Sequence, residues 1–264
     1  MHRIQCLVIT PTVSLVRYDH APGVDHCDDS EEECSTPAIN FVESGSFELE
    51  IETKSWRLGP GAQFMSRPGT VHRYRHRHGE ASDVCLSARY AASFAEEEAF
   101  GRDGPIRSNN RVEFLKLRLA AALEIRDLPA IENWACDLLV ALRPALAPVR
   151  LYRTRQLKWY AQRIEAARMI LDRGFAEQHS LSSLARQVGM STFQFARIFR
   201  ELIGIPPHRY LLGVRLNHAR QLLGSGVSVT ATCYESGFAN LSHFIRSFRR
   251  WFGYLPSAVK KQSK

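Results

Sequence analysis

Arginine occupies every second position over residues 72–78, within the stretch TVHRYRHRHGE, and three histidines and a tyrosine occupy the others. As a β-strand, this stretch would place its histidines and its tyrosine on one face and its arginines on the other. A basic, histidine-rich strand of this kind could be a metal site, a contact with nucleic acid, or an ordinary strand of a sheet. The first face would hold His72, Tyr74, His76 and His78, and the second would hold Arg73, Arg75 and Arg77.

Metal or thiol chemistry at this stretch would need ligands from elsewhere in the chain. Mixed histidine and cysteine sets suit zinc, but the six cysteines contain no CxxC pair and the candidates are irregularly spaced. We therefore predict reduced thiols, no cofactor and no metal site. The weak metal candidates are His76, His78 and Cys85, and a wider set would add His26, Cys27 or Cys34.

The totals indicate a globular protein with room for two domains. The chain has 264 residues, of which 45% are hydrophobic, so it can bury a substantial core. Its apolar runs are far shorter than the ~18 residues that a membrane span needs, and its N-terminus lacks a clean signal-peptide cleavage site. We predict a cytoplasmic protein with no membrane partner.

Charge divides the chain into two halves of opposite sign. Residues 151–264 hold 18 Lys and Arg against 5 Asp and Glu, a net charge of +13, whereas residues 1–150 hold 17 against 22, a net charge of −5. A solvated basic surface is the simpler interpretation of the second half. The asymmetry favours a module that binds a polyanion, joined to an acidic module with another task.

The two halves also differ in hydrophobic period. Over residues 1–105, INFVESGSFELEI predicts a hairpin around Gly45, and LGPGAQF and SRPGTVHRY each place a Pro-Gly turn before a strand. Short strands at this spacing favour a small barrel or sandwich. Residues 111–143 change to the period of two helices, which could pack on the barrel or against a second subunit, and Pro144 and Pro148 mark a linker.

The basic half contains a duplicated unit. FQFARIFRELIGIPP begins at Phe193 and SHFIRSFRRWFGYLP begins at Ser242, 49 residues later, with six identities between them. Two copies are too few for a solenoid and fit a duplicated supersecondary unit. The identical pairs are Phe195 and Phe244, Arg197 and Arg246, Phe199 and Phe248, Arg200 and Arg249, Gly204 and Gly253, and Pro207 and Pro256.

Each copy has the sequence of a helix-turn-helix. A small residue, Ala185 or Cys233, lies four positions before a glycine, Gly189 or Gly237. Two closely crossing helices need the small residue, and the turn between them needs a residue that tolerates positive φ. The phenylalanines at i, i+4 spacing are predicted to face the core. The predicted N-caps of the second helices are Ser191 and Asn240.

The outward faces of the two second helices carry side chains that can read DNA. Arginine pairs bidentately with guanine, glutamine pairs with adenine, and apolar side chains contact the thymine methyl group. We predict Arg197 and Arg246 as the leading base readers and Arg200 and Arg249 as phosphate contacts, with a solvated surface charge as the alternative for each. The predicted set is Thr192, Phe193, Gln194, Ala196, Arg197, Arg200, Leu241, Ser242, His243, Ile245, Arg246 and Arg249, with packing as the alternative for Phe193 and Ile245.

Over about residues 159–260 these motifs resemble the AraC/XylS family of bacterial transcription regulators. The resemblance rests on LARQVGMSTFQFARIFRELIGIPPHRYL, VRLNHARQLL and ESGFANLSHFIRSFRRWFGYLPS. It implies two helix-turn-helix units joined by a long helix, here about Pro206 to Leu223, which places both second helices in successive major grooves. Thr232 in place of an aliphatic residue, and Cys233 in place of alanine, depart from the family pattern and predict softer packing of the second unit.

The N-terminal half resembles the cupin-like sensing domain of the same family through INFVESGSFELEI and PGAQFMSRPGTVHRYRH. The resemblance implies a barrel that binds a small effector, with His72, Tyr74 and His76 as candidate contacts, and with the barrel wall as the alternative place for His72. The expected fold class is α+β multidomain, with a cupin-like β-barrel, two following helices and an all-α domain of two helix-turn-helix units. The predicted boundaries are 1–108 for sensing, 109–145 for dimerisation or coupling, 146–158 for a linker and 159–264 for DNA binding.

The predicted function is a sequence-specific transcription regulator that binds double-stranded DNA, responds to an effector and is not an enzyme. The resemblance also implies a homodimer, and RNA polymerase is a further candidate partner. The alternative is a metal- or thiol-dependent sensor, or a cupin-type enzyme, fused to a DNA-binding module. A cupin metal set is hard to assemble here because Glu80 follows His78 too closely and no later strand supplies a histidine.

Overall fold

The computed structural model describes residues 2–20, 31–76, 83–94, 103–142 and 150–259. The chain divides into two compact units, Met1–Tyr152 and Arg153–Lys264. The mixed class expected from the sequence, with strands first and helices after, is confirmed. Among the helices of the described segments, none is long and apolar enough to cross a membrane.

The first unit consists of antiparallel strands in two sheets, followed by two helices. The elements are β1 (His2–Ile9), β2 (Val13–His20), β3 (Glu32–Glu33), β4 (Ala38–Ser44), β5 (Phe47–Ile51), β6 (Lys54–Leu58), β7 (Gln63–Ser66), β8 (Val71–Arg75), β9 (Val84–Tyr90), β10 (Gly104–Pro105), α1 (Asn110–Glu124) and α2 (Leu128–Ala141). One sheet has the order β1-β2-β9-β4-β7-β10 and the other has the order β3-β8-β5-β6. Phe47 and Leu49 of the second sheet meet Val42 and Phe64 of the first in a shared core, which is the arrangement of a small barrel.

The hairpin predicted around Gly45 is wrong, although both of its strands exist. β4 pairs with β7 and β9, whereas β5 pairs with β6 and β8. Gly45 has a positive φ of 71°, and its turn carries the chain from one sheet to the other. The alternation of buried and polar residues fixes which side chains of β5 face the core, but it contains no information about the partner strand.

The helices α1 and α2 pack on the strands of their own unit. The hydroxyl of Tyr90 in β9 donates a 2.8 Å hydrogen bond to the carbonyl oxygen of Ala135 in α2. The buried amide of Asn110 holds the chain that leaves the unit, since its Nδ2 donates to the Arg150 carbonyl at 3.1 Å and its Oδ1 accepts from the Tyr152 N–H at 2.8 Å. Packing on the barrel, one of the two alternatives for these helices, is therefore observed.

The second unit is all helical in the residues described. Its helices are α3 (Thr154–Arg173), α4 (Leu181–Gln187), α5 (Thr192–Ile203), α6 (Pro207–Gly224), α7 (Val229–Glu235) and α8 (Leu241–Phe252). The pairs α4 with α5 and α7 with α8 form the first and second helix-turn-helix, and α6 joins them within one residue of the predicted bounds. The helix α3 begins inside the range 146–158 that the sequence assigned to a linker.

Both turns have the predicted local structure. Gly189 and Gly237 adopt φ values of 67° and 80°, which favour glycine. Ser191 and Asn240 cap α5 and α8, because each side-chain oxygen accepts a hydrogen bond from the backbone N–H three residues on. These local features position the first turn of each second helix, where the predicted DNA contacts begin.

Candidate nucleic-acid interface and barrel cavity

The two second helices, α5 and α8, are called here the recognition helices, and each buries one face and exposes the other. The paired phenylalanines are fully buried as predicted, with ring centroids 5.6 Å apart in α5 and 5.7 Å apart in α8. The opposite faces carry the predicted arginines. The exposed members of the predicted set are Thr192, Phe193, Arg197, Arg200, Ser242, His243, Arg246 and Arg249.

Phe193 is the most exposed large hydrophobic side chain of the second unit. It stands in the first turn of α5, two residues after the N-cap, with 81% of its surface accessible. Packing inside this chain, the alternative for Phe193, is therefore not observed. An apolar ring held at the start of a recognition helix is suitable for contact with a thymine methyl group or a sugar.

Four members of the predicted set are half-buried, and contacts within the chain account for three of them. Leu241 and Ile245 pack against the core of the second helix-turn-helix, so packing is observed for Ile245. Gln194 donates from Nε2 to the hydroxyl of Tyr160 in α3 at 3.3 Å. The fourth is Ala196.

The electrostatics of the two recognition helices differ. In α5, Arg197 Nη1 lies 3.3 Å from Glu201 Oε2, an ion pair at i, i+4 spacing. The position in α8 that corresponds to Glu201, 49 residues later, holds Arg250. The outer face of α8 therefore combines His243 with three arginines and has no carboxylate at that position, which favours a polyanionic partner.

The helix α3 flanks the first helix-turn-helix with residues that the sequence analysis did not single out. The Arg163 guanidinium lies 3.6 Å from the ring centroid of Trp159, and its Nε lies 4.0 Å from where a Cβ on Gly189 would be. Tyr160 holds Gln194 as described above. The sequence carries a signal for this surface, because four basic residues lie close together before the first helix-turn-helix, at Arg153, Arg155, Lys158 and Arg163.

The first unit encloses a cavity of about 180 Å³ lined by strands of both sheets. The three predicted effector contacts, His72, Tyr74 and His76, all line it. On the opposite face of the same strand, Arg73 Nη2 lies 2.5 Å from Glu31 Oε1. Arg75 pairs with Glu50 of β5, at 3.2 Å. The remaining polar side chains buried at the cavity are Asn40, Ser66, Ser87 and Asp83.

His72 and Tyr74 present uncharged groups to this cavity. Burial lowers the pKa of His72, so the imidazole is neutral at pH 7. Only 6% of His72 is exposed, and its Nδ1 has no hydrogen-bond partner among the residues that the structure describes. Burial raises the pKa of Tyr74 well above its usual value, so the phenol keeps its proton. These groups suit hydrogen bonding to a neutral polar ligand.

The candidates for metal or thiol chemistry form a different arrangement. His76 Nε2 lies 2.5 Å from Asp83 Oδ1, and Cys85 Sγ lies 3.9 Å from the other oxygen of Asp83. Burial raises the pKa of Cys85, which keeps it a protonated, weakly reactive thiol. Within the described ranges, no group of three or more His, Cys, Asp or Glu is placed to hold a metal ion. The candidates outside these ranges are His26, Cys27 and His78.

Comparison with known proteins places this geometry in a family. Residues 184–262 match the family described as "Helix-turn-helix domain". The transcriptional activator RhaS of Escherichia coli O6:H1 (strain CFT073) is 30% identical over 261 residues, which cover 91% of this chain and 90% of RhaS. The transcriptional regulator ExsA of Pseudomonas aeruginosa is 30% identical over 99 residues, 37% of this chain, and the match spans only 36% of the length of ExsA.

A solved structure gives a similar partial match. It is that of a probable AraC family transcriptional regulator from Rhodopseudomonas palustris, 28% identical, with a TM-score of 0.35, covering 37% of this chain and 94% of that chain. The match to RhaS, by contrast, runs through nine-tenths of both proteins. With its barrel followed by two helix-turn-helix units, the chain belongs to the AraC/XylS family of DNA-binding transcription regulators.

Proposed function

We propose that this regulator recognises a specific sequence in double-stranded DNA through α5 and α8. The observation that carries the proposal is the exposure of Arg197 and Arg246 at equivalent positions of the two recognition helices. Recognition helices contact base edges from their N-terminal halves, and arginine pairs bidentately with guanine. Arg200 and Arg249 lie three residues further along and are assigned to phosphates.

The test of this proposal is the dependence of DNA binding on salt. Residues 151–264 carry a net charge of +13, and each phosphate that a basic side chain neutralises releases a counterion. For 6–10 phosphate contacts, affinity should fall by roughly 10³- to 10⁵-fold between 50 and 200 mM salt. A gel-shift titration of the full chain on selected DNA measures the slope, and a flat slope would refute the proposal.

We further propose that the barrel cavity binds a small, neutral and polar effector. A volume of about 180 Å³ is below the roughly 300–1,000 Å³ of pockets for drug-sized ligands, so the ligand is compact. His72 is buried and neutral, and its Nδ1 has no partner within the described ranges, which supports a hydrogen bond to that ligand. Binding would shift the equilibrium between states of the regulator and would involve no chemistry.

A thermal-shift screen of the full chain against small sugars, polyols and amides tests the effector proposal. A ligand present at 100 times its Kd should stabilise the protein by about 2.7 kcal/mol. His72→Leu should reduce the shift caused by a hit, whereas Arg75→Gln, on the outer face of the same strand, should leave it unchanged. A hit that stabilises His72→Leu as much as the wild type would contradict the assignment of His72.

We also propose that the regulator acts as a homodimer and that RNA polymerase is a partner on DNA. Two exposed apolar side chains at the turn between α1 and α2 support a protein contact there, with Ile125 75% and Leu128 48% accessible. Sedimentation of the wild type and of an Ile125→Lys, Leu128→Lys double variant tests the dimer. A wild type that stays monomeric at micromolar concentration would contradict it, and co-purification with polymerase on bound DNA tests the second partner.

A further inference from the structure

Residues 174–179, here called the clamp segment, connect α3 to α4 in a compact turn. The Glu177 N–H donates to the Gly174 carbonyl oxygen at 2.9 Å, and His179 Nε2 lies 2.6 Å from the same oxygen. Ser180, the N-cap of α4, follows directly. The clamp segment is therefore continuous with the first helix-turn-helix, with no free chain between them.

One side of the clamp segment is held by α6. Arg215, near the middle of α6, donates from Nε to the Phe175 carbonyl at 2.7 Å and from Nη2 to the Glu177 carbonyl at 2.8 Å. Two donors of one planar guanidinium on two carbonyls of one turn fix both the position and the orientation of the segment. The Phe175 ring adds a contact with His218, three residues further along α6, at a centroid distance of 4.4 Å.

The other side of the clamp segment meets the turn of the second helix-turn-helix. A Cβ on Gly237 would lie 2.7 Å from Ala176 Cα and 2.9 Å from its carbonyl oxygen, distances that real side chains do not adopt. Gly189 is the equivalent glycine of the first helix-turn-helix, and the atom nearest to a Cβ added there would be Arg163 Nε, at 4.0 Å. Gly189 is thus required for its positive φ, whereas Gly237 is required for its positive φ and for this backbone approach.

We propose that the clamp segment fixes the separation of the two recognition helices and thereby the spacing of the two DNA half-sites that the chain accepts. The inference rests on the proposed DNA recognition by α5 and α8. The helix α6 shares a core with α7 and α8 through Leu216, Ala219 and Leu223, so it is packed as part of the second helix-turn-helix. The turn between α5 and α6, residues 204–206, would allow α6 and the second helix-turn-helix to pivot together against the first. The clamp segment, which is continuous with the first helix-turn-helix, removes this pivot because it contacts Arg215 of α6 and the turn at Gly237. Successive base pairs are only ~3.4 Å apart along the duplex, so a small pivot would change the accepted spacing.

Selection of double-stranded DNA from a random library by the full chain tests this inference. The wild type should select two half-sites at one spacing. Arg215→Gln and Gly237→Ala should select the same half-sites over several neighbouring spacings. Their preference for the wild-type spacing over a one-base-pair insertion should fall by roughly two- to thirtyfold.

Two matched controls separate the effect of the clamp-segment contacts from the loss of a positive charge and from backbone strain in a turn. Arg209→Gln removes an exposed arginine from the same helix, and Gly189→Ala imposes the same strain at a positive φ without the backbone contact. Both should keep one spacing, even where affinity falls. Arg215→Lys, which keeps the charge and loses the two-donor geometry, should give an intermediate spread.

The outcomes divide cleanly. If Arg215→Gln keeps wild-type helicity by circular dichroism and still selects a single spacing, the clamp is refuted, even if Gly237→Ala fails to fold. A spread of spacings produced equally by Gly189→Ala or Arg209→Gln would refute it as well. If the wild type itself selects no paired half-sites, the proposed recognition by two helices fails first and the clamp has no role in it.

Discussion

The two helix-turn-helix units share their turns and caps but differ in how firmly they are packed. The helix α5 buries four large apolar side chains, whereas α8 buries two. At the positions of Ile198 and Leu202, both fully buried in α5, α8 has Ser247 and Trp251, and Trp251 is 39% exposed. Duplication has therefore kept the local geometry that presents each recognition helix, while the core beneath it has diverged.

The second helix-turn-helix also buries polar groups at positions where the first has apolar residues. The hydroxyls of Thr232 and Ser236 are fully buried and have no hydrogen-bond partner in the described part of the chain. The corresponding residues of the first helix-turn-helix, 48 positions earlier, are Leu184 and Val188. An unpaired buried hydroxyl costs free energy of folding, in agreement with the softer packing predicted from Thr232. The first helix-turn-helix thus has the better packed core, and the second depends more on its contacts with α6 and the clamp segment.

The largest expected effects come from the buried phenylalanines. Phe195→Ala and Phe244→Ala should each lower the free energy of unfolding by about 3–5 kcal/mol, through lost burial and the cavity left behind. Because α8 has fewer other buried side chains, Phe244→Ala should also abolish amide-exchange protection in α7 and α8 while α4 and α5 stay protected. Urea titration with hydrogen exchange measures both quantities, and Phe193→Ala, at an exposed position, should change stability by less than ~0.5 kcal/mol. If α4 and α5 lost their protection as fully as α7 and α8, the inferred difference in packing between the two helix-turn-helix units would be wrong.

The local structure of both helix-turn-helix units was predictable because it depends on residues close in sequence. The glycine turns, the caps Ser191 and Asn240 and the buried phenylalanines all follow from spacings of a few residues. Contacts between distant segments were not predictable. The bond between Gln194 and Tyr160 spans 34 positions and that between Arg215 and the clamp segment spans about 40, so no local pattern encodes them.

The same limit applies to the barrel and to the predicted DNA contacts. The sequence predicted that His72 and Tyr74 share a face, and the structure places both at the cavity. It could not predict that the chain crosses between sheets at Gly45. Leu241 and Ile245 lie beside the arginines on a helical projection, but the smaller core of α8 leaves space that these side chains fill. Their inward position depends on volume, which periodicity does not measure.

Replacement of the proposed base readers should have the next largest effect. Arg246→Ala should cost about 1–3 kcal/mol of binding free energy at one base position. Arg197→Ala should cost less, because part of its charge is already satisfied by Glu201 in free protein. Competition binding with each base of the selected site substituted in turn measures both. In contrast, Arg200→Ala and Arg249→Ala should weaken binding to all sequences and lower the salt slope by ~1. If Arg246→Ala weakens binding equally for every base substitution, Arg246 contacts a phosphate and does not read a base.

A smaller effect on stability is expected at Thr232, whose hydroxyl is buried in the second helix-turn-helix. Thr232→Val keeps the shape and removes the hydroxyl, so it should raise the free energy of unfolding by about 1 kcal/mol. The reverse change at the corresponding position, Leu184→Thr, should destabilise the first helix-turn-helix because it introduces a buried hydroxyl there. Midpoints of urea unfolding measure the pair. If Thr232→Val destabilises the protein, its hydroxyl has a favourable role and the packing contrast between the units is overstated.

The smallest expected effect concerns the charge that distinguishes the recognition helices. Glu201→Gln removes the carboxylate beside Arg197, and Arg250→Glu gives α8 the charge pattern of α5. An exposed ion pair contributes about 0–1 kcal/mol, so Glu201→Gln should tighten DNA binding by less than ~1 kcal/mol and Arg250→Glu should weaken it. Both effects should shrink between 50 and 200 mM salt because exposed charges are screened. Affinities at the two salt concentrations decide the matter. If both changes persist undiminished at high salt, they arise from specific contacts, and the difference between α5 and α8 is one of base recognition.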